Sequence, residues 1–511
     1  MVAEEIHRRS PYLLQSKIAR LINCYHVLLP VAVLAVSGWV HHLAGLTFPV
    51  PWDDEAIFIY PAAAVAEANQ LQTDSLNAER PVFYHSPGYP VALGLVFKFA
   101  RPGLISARWF SWCLLALAYL AGLGMIRRLD GRSHAAIVWS LFFLGGHTAI
   151  AGNIARPEAL VLGLSLTGCW MMQEGRPWTA AALLVLGCLV HPAAWFLSAA
   201  AAAGYLREEG WRCPAPQKRD WPWIALAAFC FMALAIYVGM RWRWVWNDLQ
   251  VGMNFLHQTW GQRFSVLKSP WNGIPAALVL ALPVVTFRLR RPLFSLALLV
   301  AALWFLPIYR PEMWYSVYTA FAYAFAAVVL IELAARHLPP AARWFGRPAV
   351  IGAILLSAFA LGHVPDPRHY PSYFWWRHMT IRPQPDYIQA ADIEAVAAAL
   401  HAHAAAPGTG RVQFYPNGDG ALFLGRLPEP WIPYYPSFTD EPPTAIVFHQ
   451  TRLAYPSYPP VIAAAMEARG VDSESPLHAR DETEKWFVWL AEPELTADRA
   501  PAFPAVQSAG E

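Results

Sequence analysis

The chain has 511 residues, of which 56% are hydrophobic and 14% charged, with 24 Trp and 44 Pro. Soluble domains carry about 25% charged residues, so this much apolar surface must face something other than water, which excludes an ordinary water-soluble enzyme. The six cysteines form no C-x-x-C pair, against a disulfide-stapled chain, and a net charge of +3 is too small to argue for nucleic acid.

In chain order, a basic start (Arg8, Arg9, Lys17, Arg20) precedes a first apolar run at 25–47. The run is too long for a cleaved signal peptide, and no small-residue cleavage site follows it. A polar stretch, 48–87, holds Asp53, Asp54, Glu55, Glu67, Asp74, Glu79 and Arg80. The piece 88–100 is too short to cross a bilayer core and contains Lys98, which predicts an interfacial or re-entrant helix. Further apolar runs lie at 105–126, 134–151, 158–173, 178–191, 193–206, 221–240, 272–287, 292–309, 314–335 and 348–364. With a crossing needing about 20 apolar residues, or fewer in a packed bundle, the pattern predicts a polytopic α-helical protein of about 11 spans.

Charge orients these spans. With the N-terminus inside, the inner loops hold Arg127, Arg128, Arg132, Arg176, Arg207, Arg212, Lys218, Arg219, Arg288, Arg290, Arg291, Arg336, Arg343 and Arg347, so every inner loop is basic. The outer side then receives the 48–104 loop, the turns at Glu158, His191-Pro192 and Arg310, the 241–271 loop, and everything after 364. Residues 365–511 change character: strand-length runs at 411–415, 444–449 and 485–490 alternate with helical patterns at 386–404 and 459–469. The predicted domains are a transmembrane unit, 1–364, and an extracytoplasmic α/β domain, 365–511, in an inner or plasma membrane.

The chemistry concentrates at PWDDEAIF, 51–58, where Asp53, Asp54 and Glu55 stand just past the first span. Carboxylates beside a low-dielectric boundary are costly unless paired, metal-bound or functional. Read alone, the segment also fits a solvated loop that caps a helix. Outward cations, among them Arg108, Arg156, Arg243, Arg263 and Arg310, form a set suited to a phosphate-bearing ligand, although each taken singly fits pairing with a nearby acid. Glu158, after Pro157, stands at an outer helix start. It fits a first-turn acid, or a second carboxylate converging on the first group to activate a nucleophile or hold a divalent metal ion. His191-Pro192 reads as a turn with a satisfied histidine, and Asn417-Gly418-Asp419-Gly420 as a turn.

The ordered set of Asp54-Glu55, FYHSPGYPVALGLVFKF (83–99), ISARWFSWCLLALAYLAGLGMIRRLDGRSHA (105–135), ARPEAL (155–160) and RPEMWYSVYTAFAYAFA (310–326) resembles the GT-C class of integral-membrane glycosyltransferases. The resemblance is strongest to the protein O-mannosyltransferase and lipid A aminoarabinose transferase branch. It spans roughly 25–335 and leaves the C-terminal domain uncovered. It implies transfer of a sugar from a polyprenyl-phosphate donor to a lipid, glycan or protein acceptor at the outer membrane face, by inverting displacement. It gives Asp54 the place of the general base that activates or orients the acceptor, with Asp53, Glu55 and Glu158 as further catalytic carboxylates, and places Phe58, Tyr84 and Tyr315 along the substrate. Where some members of the class carry a lysine before a loop-1 proline, this chain has Ser86 preceded by His85. His85, Ser86, Arg108, Arg156, Arg243, Arg263 and Arg310 are then the expected phosphate contacts. Metal use does not carry over. A transporter or flippase of a lipid-linked saccharide is the rival reading, but it calls for charged groups at mid-membrane, whereas the acids here cluster in outer loops.

The topology has a direct check: alkaline phosphatase fused after residue 400 is expected to be active, and an inactive fusion would place 365–511 inside.

Overall fold

The computed structural model describes residues 27–42, 53–71, 86–130, 132–145, 148, 151–210, 212, 214–247, 279–287, 293–309, 316–337, 390–403, 410–415, 417–428, 431–434, 445–449 and 486–490. The expected span at 348–364 and the helical pattern at 459–469 lie outside them. The helices are α1 (Val27–His42), α2 (Asp53–Ala68), α3 (Gly88–Phe97), α4 (Leu104–Ile126), α5 (Arg132–Phe143), α6 (Pro157–Gln173), α7 (Pro177–Val190), α8 (Ala193–Glu208), α9 (Trp221–Met240), α10 (Leu293–Tyr309), α11 (Ser316–His337) and α12 (Ala390–His403).

Local chemistry sets several boundaries. Proline opens α6 and α7 at the first helical position, where its missing N–H leaves nothing unsatisfied. α6 ends at Gly175, whose φ of 71° only glycine adopts freely. There the Arg176 N–H donates to the Met171 carbonyl (2.9 Å) and the Gly175 N–H to the Met172 carbonyl (3.1 Å), which closes the last turn. α5 stops at Phe143, ahead of Gly145-Gly146, and so ends short of the run expected to 151.

One departure from the sequence reading concerns the first 100 residues. The 48–104 stretch, expected as an outer loop with a short helix at 88–100, carries a second and longer helix, α2, whose first turn holds Asp53–Glu55, close to the helix-capping reading of that segment. The apolar segment AIFIYPAAAVA continues α2 through Pro61, and its Ala56–Ala63 side chains are almost all inaccessible. The 88–100 piece is the short helix expected.

α4 lies at the centre. It packs along α6, which packs on α7; α8 and α11 flank α10, α5 lies on α11, and α9 lies on α7. α4 also meets α5 closely at Gly122, where an added Cβ would overlap the indole of Trp139. That indole in turn donates to the Tyr119 carbonyl at 2.9 Å. Three helices among the described residues are long and apolar enough to cross a membrane: Leu104–Ile126, Lys218–Met240 and Val317–Arg336. Others, such as Val27–His42 and Pro177–Val190, are apolar but shorter. α9 buries only Ala227 and leaves Phe229 (72%) and Met240 (77%) exposed, a face suited to lipid chains.

Helix ends expected on one side of the membrane meet at one end of the bundle. Arg128 pairs with Glu174 at 3.1 Å, Arg336 reaches Asp130 at 3.5 Å, and Arg207 lies over the Phe287 ring. The opposite end collects the starts of α2, α3, α4 and α6 and the α7–α8 turn.

In the C-terminal region a sheet of order β2-β1-β3-β4 forms from β1 (Arg411–Tyr415), β2 (Ile432–Tyr434), β3 (Ala445–His449) and β4 (Trp486–Leu490). β1 pairs parallel with both β2 and β3, and β4 runs antiparallel to β3, with Val447 opposite Val488. α12 packs on β4. The Asn417–Leu422 segment, expected as a turn, is a short 3-10 helix packed against α2. Gly420 approaches so closely that a Cβ there would overlap the Tyr60 hydroxyl.

Gly122→Ala is expected to lower the melting temperature in detergent, an overpacking cost of about 1–3 kcal/mol. Gly239→Ala, where nothing lies within 4 Å of the new methyl, is expected to leave it unchanged.

Candidate functional site

At the end of the bundle that carries the acidic segment, Glu55 is fully buried on the first turn of α2. Both its oxygens are engaged by Arg108 of α4, with Nε–Oε1 at 3.1 Å and Nη2–Oε2 at 2.8 Å. The Ala155 N–H adds a third bond, to Oε1, at 2.8 Å. Arg108 is likewise inaccessible. A bidentate guanidinium and a backbone donor together satisfy the carboxylate in a place water does not reach. One side chain thereby ties α2, α4 and the turn before α6 into a single unit.

A second pair lies beside it. Arg156, in extended conformation just before α6, bends over Glu158 in the first turn, with Nη2–Oε1 at 3.2 Å and Nε contacts of 3.3 and 3.4 Å. Both residues are 4% exposed. These contacts are longer than those of Glu55 with Arg108. The Arg156 guanidinium also lies 5.9 Å from the centroid of the Phe58 ring, a cation–π contact that links the pair back to α2. Among the described residues, two carboxylates and two guanidiniums thus lie in one buried cluster.

The surroundings complete it. Tyr89 of α3 packs edge-on against Phe58, with ring centroids 5.4 Å apart, and its hydroxyl sits 3.5 Å from the Ser111 hydroxyl. Burial holds the Tyr89 phenol well above its usual pKa range, so it stays a neutral hydroxyl. His191 is buried in the α7–α8 turn, where its Nδ1 accepts the Ala193 N–H at 3.1 Å, the satisfied turn histidine expected. His41, at the end of α1, packs edge-on to Trp109 at 4.3 Å beside the buried Asn153. The sequence reading passed over Tyr89, Ser111, His41 and Asn153. The signal available for two of them was a polar side chain within or beside an apolar run, His41 ending the first span and Asn153 just ahead of ARPEAL.

The structure therefore brings together Glu55, Arg108, Arg156, Glu158 and Phe58 from three separate stretches of chain. Glu55, expected among the catalytic acids, and Arg108, expected on a donor phosphate, face each other and are enclosed. Ser86, another expected phosphate contact, donates its hydroxyl to the Leu189 carbonyl. Arg243 is exposed on a helical turn after α9 and takes no part in the buried cluster. Asp53 and Asp54 belong to the first turn of α2. Tyr84, His85, Arg263, Arg310 and Tyr315 lie outside the described residues. Among the described residues, no group of three or more His, Cys, Asp or Glu is placed to hold a metal ion.

No family model and no curated protein matches the sequence. Among solved structures, the chain is similar to ArnT from Cupriavidus metallidurans, both in the apo state and bound to undecaprenyl phosphate. Each pairing shows 14% identity and a TM-score of 0.45, and covers 93% of this chain and 99% of that one. This is a distant likeness in the course of the chain.

Removing either partner of the Glu55–Arg108 pair strands a buried charge. Glu55→Met and Arg108→Met are each expected to destabilise by about 3–5 kcal/mol. The double variant is expected to cost less than the two together, read as melting temperatures in detergent. Simple additivity would show that the pair does not act as a unit.

Proposed function

We propose that the protein is an integral-membrane glycosyltransferase that moves a sugar from a polyprenyl-phosphate donor to a lipid, glycan or protein acceptor at the end of the bundle holding the acidic segment. The observation that carries this reading is the convergence of the α2 start, the α4 arginine and the Arg156–Glu158 turn on one end of an apolar helix bundle. The motif order that resembles GT-C enzymes runs through these same elements. An apolar carrier also explains a bilayer enzyme: a long polyprenyl chain cannot leave the membrane, so the site must lie where the donor is.

In the proposed step, the acceptor oxygen or nitrogen bonds to the anomeric carbon as the bond from that carbon to the phosphate oxygen breaks. The acceptor proton goes to a carboxylate, and the electron pair leaves with the polyprenyl phosphate. Asp54 is the carboxylate assigned this role, because Glu55 has both oxygens committed and a base needs a free lone pair aimed at the acceptor. Glu55 is instead the positioning residue that holds the first turn of α2, and Asp54 with it, against α4. Asp53 remains a neighbouring acid that tunes the site.

The leaving phosphate gains negative charge in the transition state and calls for cations. Arg108 is committed to Glu55 through Nε and Nη2, so its contribution is to fix that carboxylate. Arg156 has the longer carboxylate contacts and is the better placed of the two to exchange Glu158 for a phosphate oxygen. His85, Arg263 and Arg310 are assigned to the same phosphate, and Phe58, Tyr84 and Tyr315 to the substrate path. The 365–511 domain is assigned to the same side of the membrane, where its 3-10 helix rests on α2.

Asp54→Asn is expected to cut transfer by roughly 100-fold or more, the usual weight of a general base, while the protein stays folded and inserted. Purified enzyme assayed with lipid-linked sugar extracts gives the rate, and a melting curve gives the folding control. An unimpaired rate would remove Asp54 as the base.

A further inference from the structure

The segment that leads Arg156 into α6 is gripped from one side by Glu55, which accepts the Ala155 N–H at 2.8 Å. Two residues earlier on the same segment stands Asn153, 1% exposed and unused by the proposed chemistry. It lies within hydrogen-bonding reach of the imidazole of His41, which sits in the last turn of α1 and is itself 3% exposed.

His41 occupies an aromatic corner on α4. Its ring meets Trp109 edge-on at 4.3 Å and stacks on Trp112 at 6.1 Å, and the two indoles meet edge-on at 5.4 Å. The Trp112 indole N–H donates to the Ser37 hydroxyl at 3.0 Å, one helical turn before His41 on α1. Gly38 brings α1 so close that an added Cβ would lie 3.1 Å from the Trp112 ring. The same ring borders the other segment, since a Cβ built on Gly152 would lie 3.6 Å from it. The two indoles thus fix the plane of the imidazole beside Asn153.

The polar atoms in this corner are complementary. Both imidazole nitrogens and the Asn153 Oδ1 are buried, and among the described residues none of the three closes a hydrogen bond. A neutral imidazole has one N–H to give and an amide oxygen has lone pairs to receive it. A small adjustment therefore answers both, and leaving them open side by side would cost the desolvation of each.

We propose that His41 is a positioning residue for the transfer step: its N–H, given to Asn153 Oδ1, ties α1 to the segment that aims Arg156 and Glu158. This role rests on the glycosyl-transfer reading above. With Ala155 tied to α2 through Glu55 and Asn153 tied to α1 through His41, the segment is held at two points by two helices, and the extended Arg156 leaves it with its direction set. The contact proposed between Arg156 and the leaving phosphate strengthens as the bond to the anomeric carbon breaks. A loosened segment therefore costs more in the transition state than in donor binding.

The purified full chain, titrated with lipid-linked sugar extracts, tests this through variants of the pair. His41→Phe keeps a ring against the indoles but has no N–H; its kcat is expected to fall roughly tenfold while the donor KM stays within about twofold. Asn153→Leu is expected to do the same, and the double variant to be no slower than either single one, as two halves of one bond. His41→Gln, whose amide can still donate, is expected to recover most of the rate, which a packing role for the ring would not allow. Melting curves confirm that each variant is folded. Full kcat in folded His41→Phe, losses that multiply in the double variant, or no recovery in His41→Gln would each overturn the proposal. Should the unmodified chain transfer no sugar, the glycosyl-transfer reading fails and the pair is judged by melting temperature: a double variant destabilised by less than the sum of the singles upholds the bond, and additivity overturns it.

Discussion

A carboxylate removed from water has to be answered, and the answer to Glu55 organises the functional end of this molecule. Three donors from two distant stretches converge on it: two from the Arg108 guanidinium and one from the Ala155 backbone. Buried pairs of this kind add little net stability over apolar packing of the same volume, because desolvation consumes most of the attraction. What such a pair can supply is registry. The Arg108 fork meets both Glu55 oxygens in one arrangement of α2 on α4, and the Ala155 bond fixes the turn that leads into α6. Arg156 and Glu158 ride on that turn, so their position relative to α2 follows from Glu55.

The same logic reaches the C-terminal region. The face of α2 that carries Tyr60 receives the 3-10 helix at Asn417–Leu422, with Gly420 set against the tyrosine hydroxyl. Asp419 on that turn is buried, and Phe423 just beyond it stacks on Phe414 of β1 with centroids 4.9 Å apart. A continuous packed path therefore runs from the central parallel strand of the sheet through the turn and α2 to the acid–arginine cluster. Any change in how the sheet region seats on α2 bears directly on the helix whose first turn holds Asp53, Asp54 and Glu55.

Much of this was readable in the residues, and the parts that were not have physical reasons. Apolar runs located the helices, because an α4 or an α10 is hydrophobic nearly all round and nothing competes with that signal. Loop charge grouped the helix ends, and the Arg128–Glu174 and Arg336–Asp130 contacts join ends assigned to the same side. The acids at 53–55 fitted the cap and first turn of a helix, but the length of α2 was hidden by its context: an apolar segment interrupted by Pro61 and followed by a polar stretch reads as loop. The partner of Arg108 lay 53 positions away with no periodicity to reveal it, although an arginine beside an apolar run demands a carboxylate somewhere. A backbone donor such as Ala155 leaves no trace in sequence at all. Residue type marked which side chains were costly, and only the packing of the helices decided which cost each one answers.

The two ends of the bundle differ in how completely that is done, and the difference separates scaffold from surface. At the acidic end the described carboxylates and guanidiniums match each other, so any ligand there competes with an existing partner, and the pair with the longer contacts, Arg156–Glu158, is the easier one to open. At the far end the Gln173 amide oxygen is enclosed with no hydrogen-bond partner among the described residues, and the Glu208 carboxylate is held by the Ser295 hydroxyl. A matched buried pair resists exchange because each separated charge must be resolvated or re-paired, whereas an unmatched acceptor gains from the first donor that arrives. The acidic end is therefore built to hold its groups in place until a charged ligand displaces one.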